Sequence, residues 1–80
     1  MLFSVMNMYP RIRALREDRD LTQQQVGEAI GVSQRTYAYY ESGQRMITPQ
    51  ALCALAEFYH TNVDYLLELT DQKTPYPRKK

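Results

Sequence analysis

The chain has no tryptophan, one cysteine, one histidine and three glycines in 80 residues. A lone Cys53 excludes an internal disulfide and a cysteine-based zinc site, and it points to a reducing compartment, the cytoplasm. No stretch approaches the roughly 20 apolar residues that a membrane-spanning helix needs, so no membrane partner is expected. The apolar opening, Met1 to Met8, lacks the basic segment and cleavage site of a signal peptide. There is no glycine-rich phosphate loop and no pair of carboxylates placed for acid–base work. A chain this short buries only about 60% of its unfolded surface, a small core with little room for a catalytic cleft. Charge of one sign is missing too: ten bases against nine acids give +1. Lys73, Arg78, Lys79 and Lys80 hold four of those bases, so residues 1–72 carry six bases, nine acids and a balance of −3. Any positive face must come from the first half and from the tail.

What is present is helical punctuation. Pro10 suits a first helical turn, and a helix over 10–18 with Ile12 and Leu15 inward follows. Thr22-Gln23-Gln24-Gln25 has the form of a capping box and opens a second helix to about Ile30, with Val26 and Ile30 facing in. Gly27 inside that helix implies close approach by another backbone. Gly31 supplies a left-handed stop, Ser33 the next cap, and a third helix runs past Tyr40 to stop near Gly43. Thr48-Pro49 starts a fourth helix with an inward stripe of Leu52, Leu55, Ala56 and Tyr59, ending near His60. Asn62 caps a short fifth helix carrying Leu66, Leu67 and Leu69. Residues 72–80, with Pro75-Tyr76-Pro77, read as a loose basic tail, and residues 1–9 as a lead segment. The expected fold is all-α: five short helices over 10–71, the second and third joined by a three-residue glycine turn as a helix-turn-helix.

Cys53 and His60 lie seven apart on one helical face, which invites a Cys–His nucleophile pair. Their axial separation is about 10 Å at about 1.5 Å per residue, too long for a hydrogen bond. Cys53, between Leu52, Ala54 and Leu55, reads instead as a small buried cysteine. No catalytic residue, metal, cofactor or small-molecule ligand is expected.

The order Leu21-Thr22-Gln23, Gly27, Gly31-Val32-Ser33 and Glu41-Ser42-Gly43 resembles the helix-turn-helix of the phage-repressor-like family, also called XRE-type. Residues 12–16, 48–59 and 62–67 resemble its first, fourth and fifth helices. The resemblance implies a sequence-specific double-stranded DNA-binding protein, a small bacterial or phage transcriptional regulator whose third helix enters the major groove. By family position, Ser33, Gln34, Arg35, Ala38 and Tyr39 would read bases. Gln suits adenine, Arg suits guanine, and an alanine methyl suits thymine. Thr22, Gln23, Thr36, Ser42, Gln44 and Arg45 would grip phosphates. Arg16 and Glu41 would form a structural ion pair, and Tyr37 and Tyr40 would face the core. His60 stands where the family often has a capping glycine.

The resemblance further implies a homodimer on a two-fold site, with residues 1–9 and the fifth helix with the tail as candidate dimer surfaces. The alternative is a protein-binding adaptor or antitoxin-like module on the same fold, contacting a protein partner through exposed tyrosines, with Tyr37, Tyr39 and Tyr40 as the contact cluster. The negative body charge speaks for that alternative, and a positive face around Arg35, Arg45 and the start of the second helix would speak for DNA.

Overall fold

The computed structural model describes residues 9–77. Five helices follow in order: α1 (Pro10–Asp18), α2 (Gln23–Ile30), α3 (Gln34–Ser42), α4 (Pro49–Phe58) and α5 (Val63–Leu66). No strand occurs among the described residues. α2 and α3 pack on each other, α4 lies behind α2, and α1 and α5 close the bundle against α3 and α4. No helix is long and apolar enough to cross a membrane.

Side-chain caps set where four of the helices begin. Thr22 accepts the Gln25 N–H while the Gln25 side chain accepts the Thr22 N–H, closing the capping box. Ser33, Thr48 and Asn62 accept the third N–H of α3, α4 and α5. The five helices also end alike. A residue in the left-handed region follows each one: Asp20, Gly31, Gly43, His60 and Glu68. The N–H after it reaches back to the carbonyl five residues earlier, as in Leu21 to Arg16, Val32 to Gly27 and Thr61 to Ala56. This is the 6→1 closure that satisfies otherwise orphaned helix carbonyls. Glycine does it freely at 31 and 43. Asp20, His60 and Glu68 do it at the penalty an L side chain meets there.

The core joins Ile12 and Leu15 of α1 to Val26, Tyr37, Tyr40, Ala51, Leu55, Ala56, Tyr59 and Leu66. Ile47, in the loop before α4, and Tyr9, just before α1, are buried with them. The Ile47 N–H donates to the Tyr9 hydroxyl at 3.4 Å, so Tyr9, placed in the lead segment by sequence, packs with the core. Residues 1–8 of the lead and 78–80 of the tail lie outside the described residues. A Cβ on Gly27 would stand 3.1 Å from the Val32 carbonyl oxygen and 3.3 Å from that of Ser33. The turn therefore lies directly on α2.

Three details differ from expectation. Cys53 is exposed, because the inward stripe of α4 turns positions 53, 57 and 60 toward solvent. α5 ends at Leu66, and Leu69 is 71% exposed. The described part of the expected loose tail is held down: Asn62 Nδ2 donates to the carbonyls of Gln72 (2.9 Å) and Thr74 (2.8 Å), and the Thr61 hydroxyl to that of Lys73 (2.7 Å). Asn62 does this with its amide nitrogen while its oxygen caps α5. Tyr76 also hydrogen-bonds Asp64.

Candidate nucleic-acid interface

α2 and α3 are fixed to each other by a polar lock at their base. Glu41, near the end of α3, has a side chain only 6% exposed. Its carboxylate accepts from Arg16 of α1 at 2.6 and 3.2 Å and from Gln23 of α2 at 3.2 Å. Arg16 also donates to the Leu21 carbonyl at 2.9 Å. Burial works against the Glu41 charge. Hydrogen bonds from Arg16 and Gln23, with the nearby Tyr37 hydroxyl, outweigh it and hold the carboxyl below its usual value. Arg16 is correspondingly raised by its bond to Glu41. The Tyr37 hydroxyl lies beside this carboxylate but completes no hydrogen bond of normal geometry. Burial is the main cause that pushes its ionisation far above the ordinary tyrosine value.

Away from this lock, the start of α3 faces solvent. Gln34 and Arg35, the first two residues of α3, are exposed, and their side chains make no hydrogen bond among the described residues. Ser33 is already engaged: its hydroxyl accepts the Thr36 N–H at 3.1 Å and donates to the Thr36 hydroxyl at 3.0 Å. At α2 the capping box uses the N–H groups of Thr22 and Gln25, leaving those of Gln23 and Gln24 as the first-turn donors without a helical partner. Ala38 and Ser42 border a small cavity of about 220 Å³ with Arg13, Arg16, Gln23 and Glu41, between α1, α2 and α3. The Ser42 hydroxyl donates back to the Tyr39 carbonyl at 3.2 Å.

The arginines divide by place. Arg11 contacts Asp71 and Glu68, Arg13 contacts Glu17, and Arg16 contacts Glu41. Arg19 stands over the Tyr59 ring, 5.0 Å from its centre. Arg35 and Arg45, at the two ends of α3, form no ion pair among the described residues. Both are exposed.

A family model described as Helix-turn-helix matches residues 12–66, more than half of the chain. The chain belongs to the helix-turn-helix family, of the XRE type. It is similar to the uncharacterized HTH-type transcriptional regulator YobD of Bacillus subtilis, 37% identical over 70 residues, which are 88% of this chain and 62% of that protein. It is similar to the HTH-type transcriptional regulator AnsR of the same organism, 35% identical over 68 residues, covering 85% and 59%. It is also similar to the cryptic phage CTXphi transcriptional repressor RstR of Vibrio cholerae, 36% identical over 69 residues, covering 86% and 60%. The chain thus spans about six tenths of the length of these relatives. A comparison with solved structures gave no match.

Within this helix-turn-helix domain, Ser33, Gln34, Arg35, Ala38 and Tyr39 all lie on α3 or its cap, with Thr36 and Ser42 on the same helix. Gln44 and Arg45 follow directly, and Thr22 and Gln23 open the helix packed against α3. Tyr37 and Tyr40 are buried, at 0% and 3% exposure, which removes them from any tyrosine contact patch and leaves Tyr39 half-buried there. Sequence reasoning missed Arg13, which borders the cavity with Gln23 and Ser42. It also missed Arg11, which ties α1 to α5 and the segment that follows it. Arg11 lies over the Tyr65 ring at 4.1 Å and donates to the carbonyls of Tyr65 and Thr70. No composition signal singles out either arginine, since both sit on an ordinary charged helix face.

Proposed function

We propose that this domain is a sequence-specific reader of double-stranded DNA in a bacterial or phage transcriptional regulator, acting in the cytoplasm on nucleoid or phage DNA, without catalysis. The observation that carries the proposal is the division of the arginines: of the three described arginines without an acidic partner, Arg19, Arg35 and Arg45, two flank α3, whose first two side chains are free. Gln34 and Arg35 would meet base edges in the major groove, with Ala38 facing a thymine methyl. The free N–H groups at the start of α2, carrying the positive end of its dipole, would take one phosphate, with Thr22 and Gln23 beside it. Ser42, Gln44 and Arg45 would take the next, and Thr36 would support the strand at the helix start. These contacts set register, and the bases supply selectivity. Bound in this way, the protein would exclude or recruit polymerase by position.

One such module has a small footprint, so two copies on a two-fold site is the expected active form. The transcriptional-regulator names of the similar proteins support the DNA reading. They lend nothing to an adaptor or antitoxin-like role, and the burial of Tyr37 and Tyr40 weakens its proposed contact patch. Selection from a pool of random duplexes at low salt tests the proposal. Enrichment of one sequence is expected, and no enrichment would overturn it. With the enriched site in hand, R35A should relax preference at one base pair by about 1–3 kcal/mol. R45A should weaken all sequences alike.

A further inference from the structure

We infer that Tyr39 is a positioning residue for Arg45: its ring holds the Arg45 guanidinium as a preformed phosphate clamp at the far end of α3. The inference deepens the proposed DNA reading and rests on it. The Arg45 guanidinium lies 5.3 Å from the centre of the Tyr39 ring, within the range where a cation is drawn to the face of an aromatic ring. The backbone makes the same connection. After Ser42 the chain reverses at Gly43, with φ 80°, and the N–H groups of Gln44 (3.0 Å) and Arg45 (3.3 Å) both donate to the Tyr39 carbonyl. Position 45 is therefore held to position 39 at two points, one through the main chain and one through the side chains.

Arg45 has no acidic partner among the described residues, so stacking leaves the guanidinium fully charged and its donors open. An arginine on a free loop must surrender its rotamer freedom when it grips a phosphate, whereas one already stacked gives up less. Arg35, Tyr39 and Ser42 are spaced i, i+4, i+7 along α3, so the clamp stands on the same face as the proposed base reader, about one helical turn beyond it. The ring rather than the hydroxyl does the work in this assignment, which moves Tyr39 from base reader to support.

Fluorescence anisotropy with a labelled mixed-sequence duplex of about 20 base pairs tests it, because phosphate contacts set the slope of affinity against salt at about 0.9 per contact. R45A should lose about 0.9 from that slope. Y39L keeps apolar volume but removes the aromatic face. It should weaken binding about two- to fivefold near 0.1 M salt at a nearly unchanged slope, because a freed Arg45 still reaches phosphate at a higher ordering cost. Y39F keeps the face and should retain the native affinity. The double variant Y39L/R45A should bind like R45A alone, since the two residues act as a unit. Circular dichroism on each variant reports whether α3 is intact.

A folded Y39L with the native affinity, or additive losses in the double variant, would overturn the positioning role and leave the DNA reading standing. A Y39F variant that loses preference at one base pair in the random-duplex selection would return Tyr39 to the base readers. If the native chain shows no salt-dependent duplex binding, the DNA reading and this inference fall together.

Discussion

Replacing Glu41 by glutamine tests what fixes α3 to α1 and α2. The carboxylate sits 6% exposed and accepts three hydrogen bonds, two from Arg16 and one from Gln23. E41Q preserves shape but places a neutral amide against a guanidinium whose side chain is only 14% exposed. Breaking a buried ion pair costs about 3–5 kcal/mol. Arg16 keeps its bond to the Leu21 carbonyl and a little solvent, so the loss should lie lower, at about 2–3 kcal/mol. A domain of this size holds about 4–12 kcal/mol in all. Its melting temperature should therefore fall by about 10–20 °C.

The acid side of the profile gives a second handle. The folded Glu41 carboxyl is held below its ordinary value, so its stabilisation is complete above the unfolded value and is lost as pH falls through the folded one. Native stability should decline from about pH 4 downward. E41Q should decline less over the same window, and the two should converge in strong acid. Urea unfolding followed by far-ultraviolet circular dichroism at neutral pH and across that window reads both effects. A loss under about 0.5 kcal/mol at neutral pH, or a gap between the two proteins that persists unchanged into acid, would refute the lock.

Asn62 should matter beyond its cap. N62A removes the acceptor for the Tyr65 N–H and the donor to Gln72 and Thr74, and should cost about 1–2 kcal/mol. It should also open cleavage at Lys73 by trypsin at concentrations that spare the native chain. At the alkaline end, the buried Tyr59 hydroxyl makes no hydrogen bond, and burial pushes its ionisation up to about 12. The folded value lies above the unfolded one, so its stabilisation is full below about pH 10 and disappears as pH rises through the folded value. Y59F should be as stable as the native chain or up to about 1 kcal/mol more stable at neutral pH, because it removes an unpaired buried hydroxyl. It should also lose less stability between about pH 10 and 12, as followed by urea unfolding.

The helix starts were legible because each uses a residue with a distinctive side chain or ring: Thr22 with Gln25, Ser33, Thr48 before Pro49, and Asn62. The helix ends were legible only where glycine marks them, at Gly31 and Gly43. Asp20 and Glu68 adopt the same left-handed closure with side chains that carry no such signal, since the preference against them is small beside the packing that imposes it. His60 was readable only through the family resemblance. The inward stripe of α4 was clear from its spacing, yet the same spacing placed Cys53 outside, and composition around it misled. Tertiary roles of polar residues were the least legible. Asn62 reads as a cap from its local sequence, whereas its bonds to residues 72 and 74 depend on where a proline-containing segment returns. In the candidate interface, α3 and its exposed residues followed from position. The stacking of Arg45 on Tyr39 depended on the reversal at Gly43, which brings two residues six apart into register.

A net charge of +1 is a poor guide to how this domain would meet a polyanion, because three of its six described arginines are paired with acids within the fold. Arg11, Arg13 and Arg16 serve acids within the fold, and Arg19 covers Tyr59. Only Arg35 and Arg45 flank the exposed face of α3 without an acidic partner. If both reached phosphates, these two described arginines would contribute about −2 to the salt slope, or about −4 for a two-fold pair. Non-specific affinity rests almost entirely on that electrostatic attraction, so it should be weak. Base contacts by Gln34 and Arg35 would then make up an unusually large share of binding to the right site. Adding a lysine at an exposed position beside α3, such as Gln44→Lys, should steepen the salt slope by about 0.9 per chain and raise affinity for every duplex alike. The ratio of specific to non-specific binding should stay the same or fall. If that ratio rose instead, position 44 would be reading bases, and the division of labour between the start of α3 and its far end would be wrong.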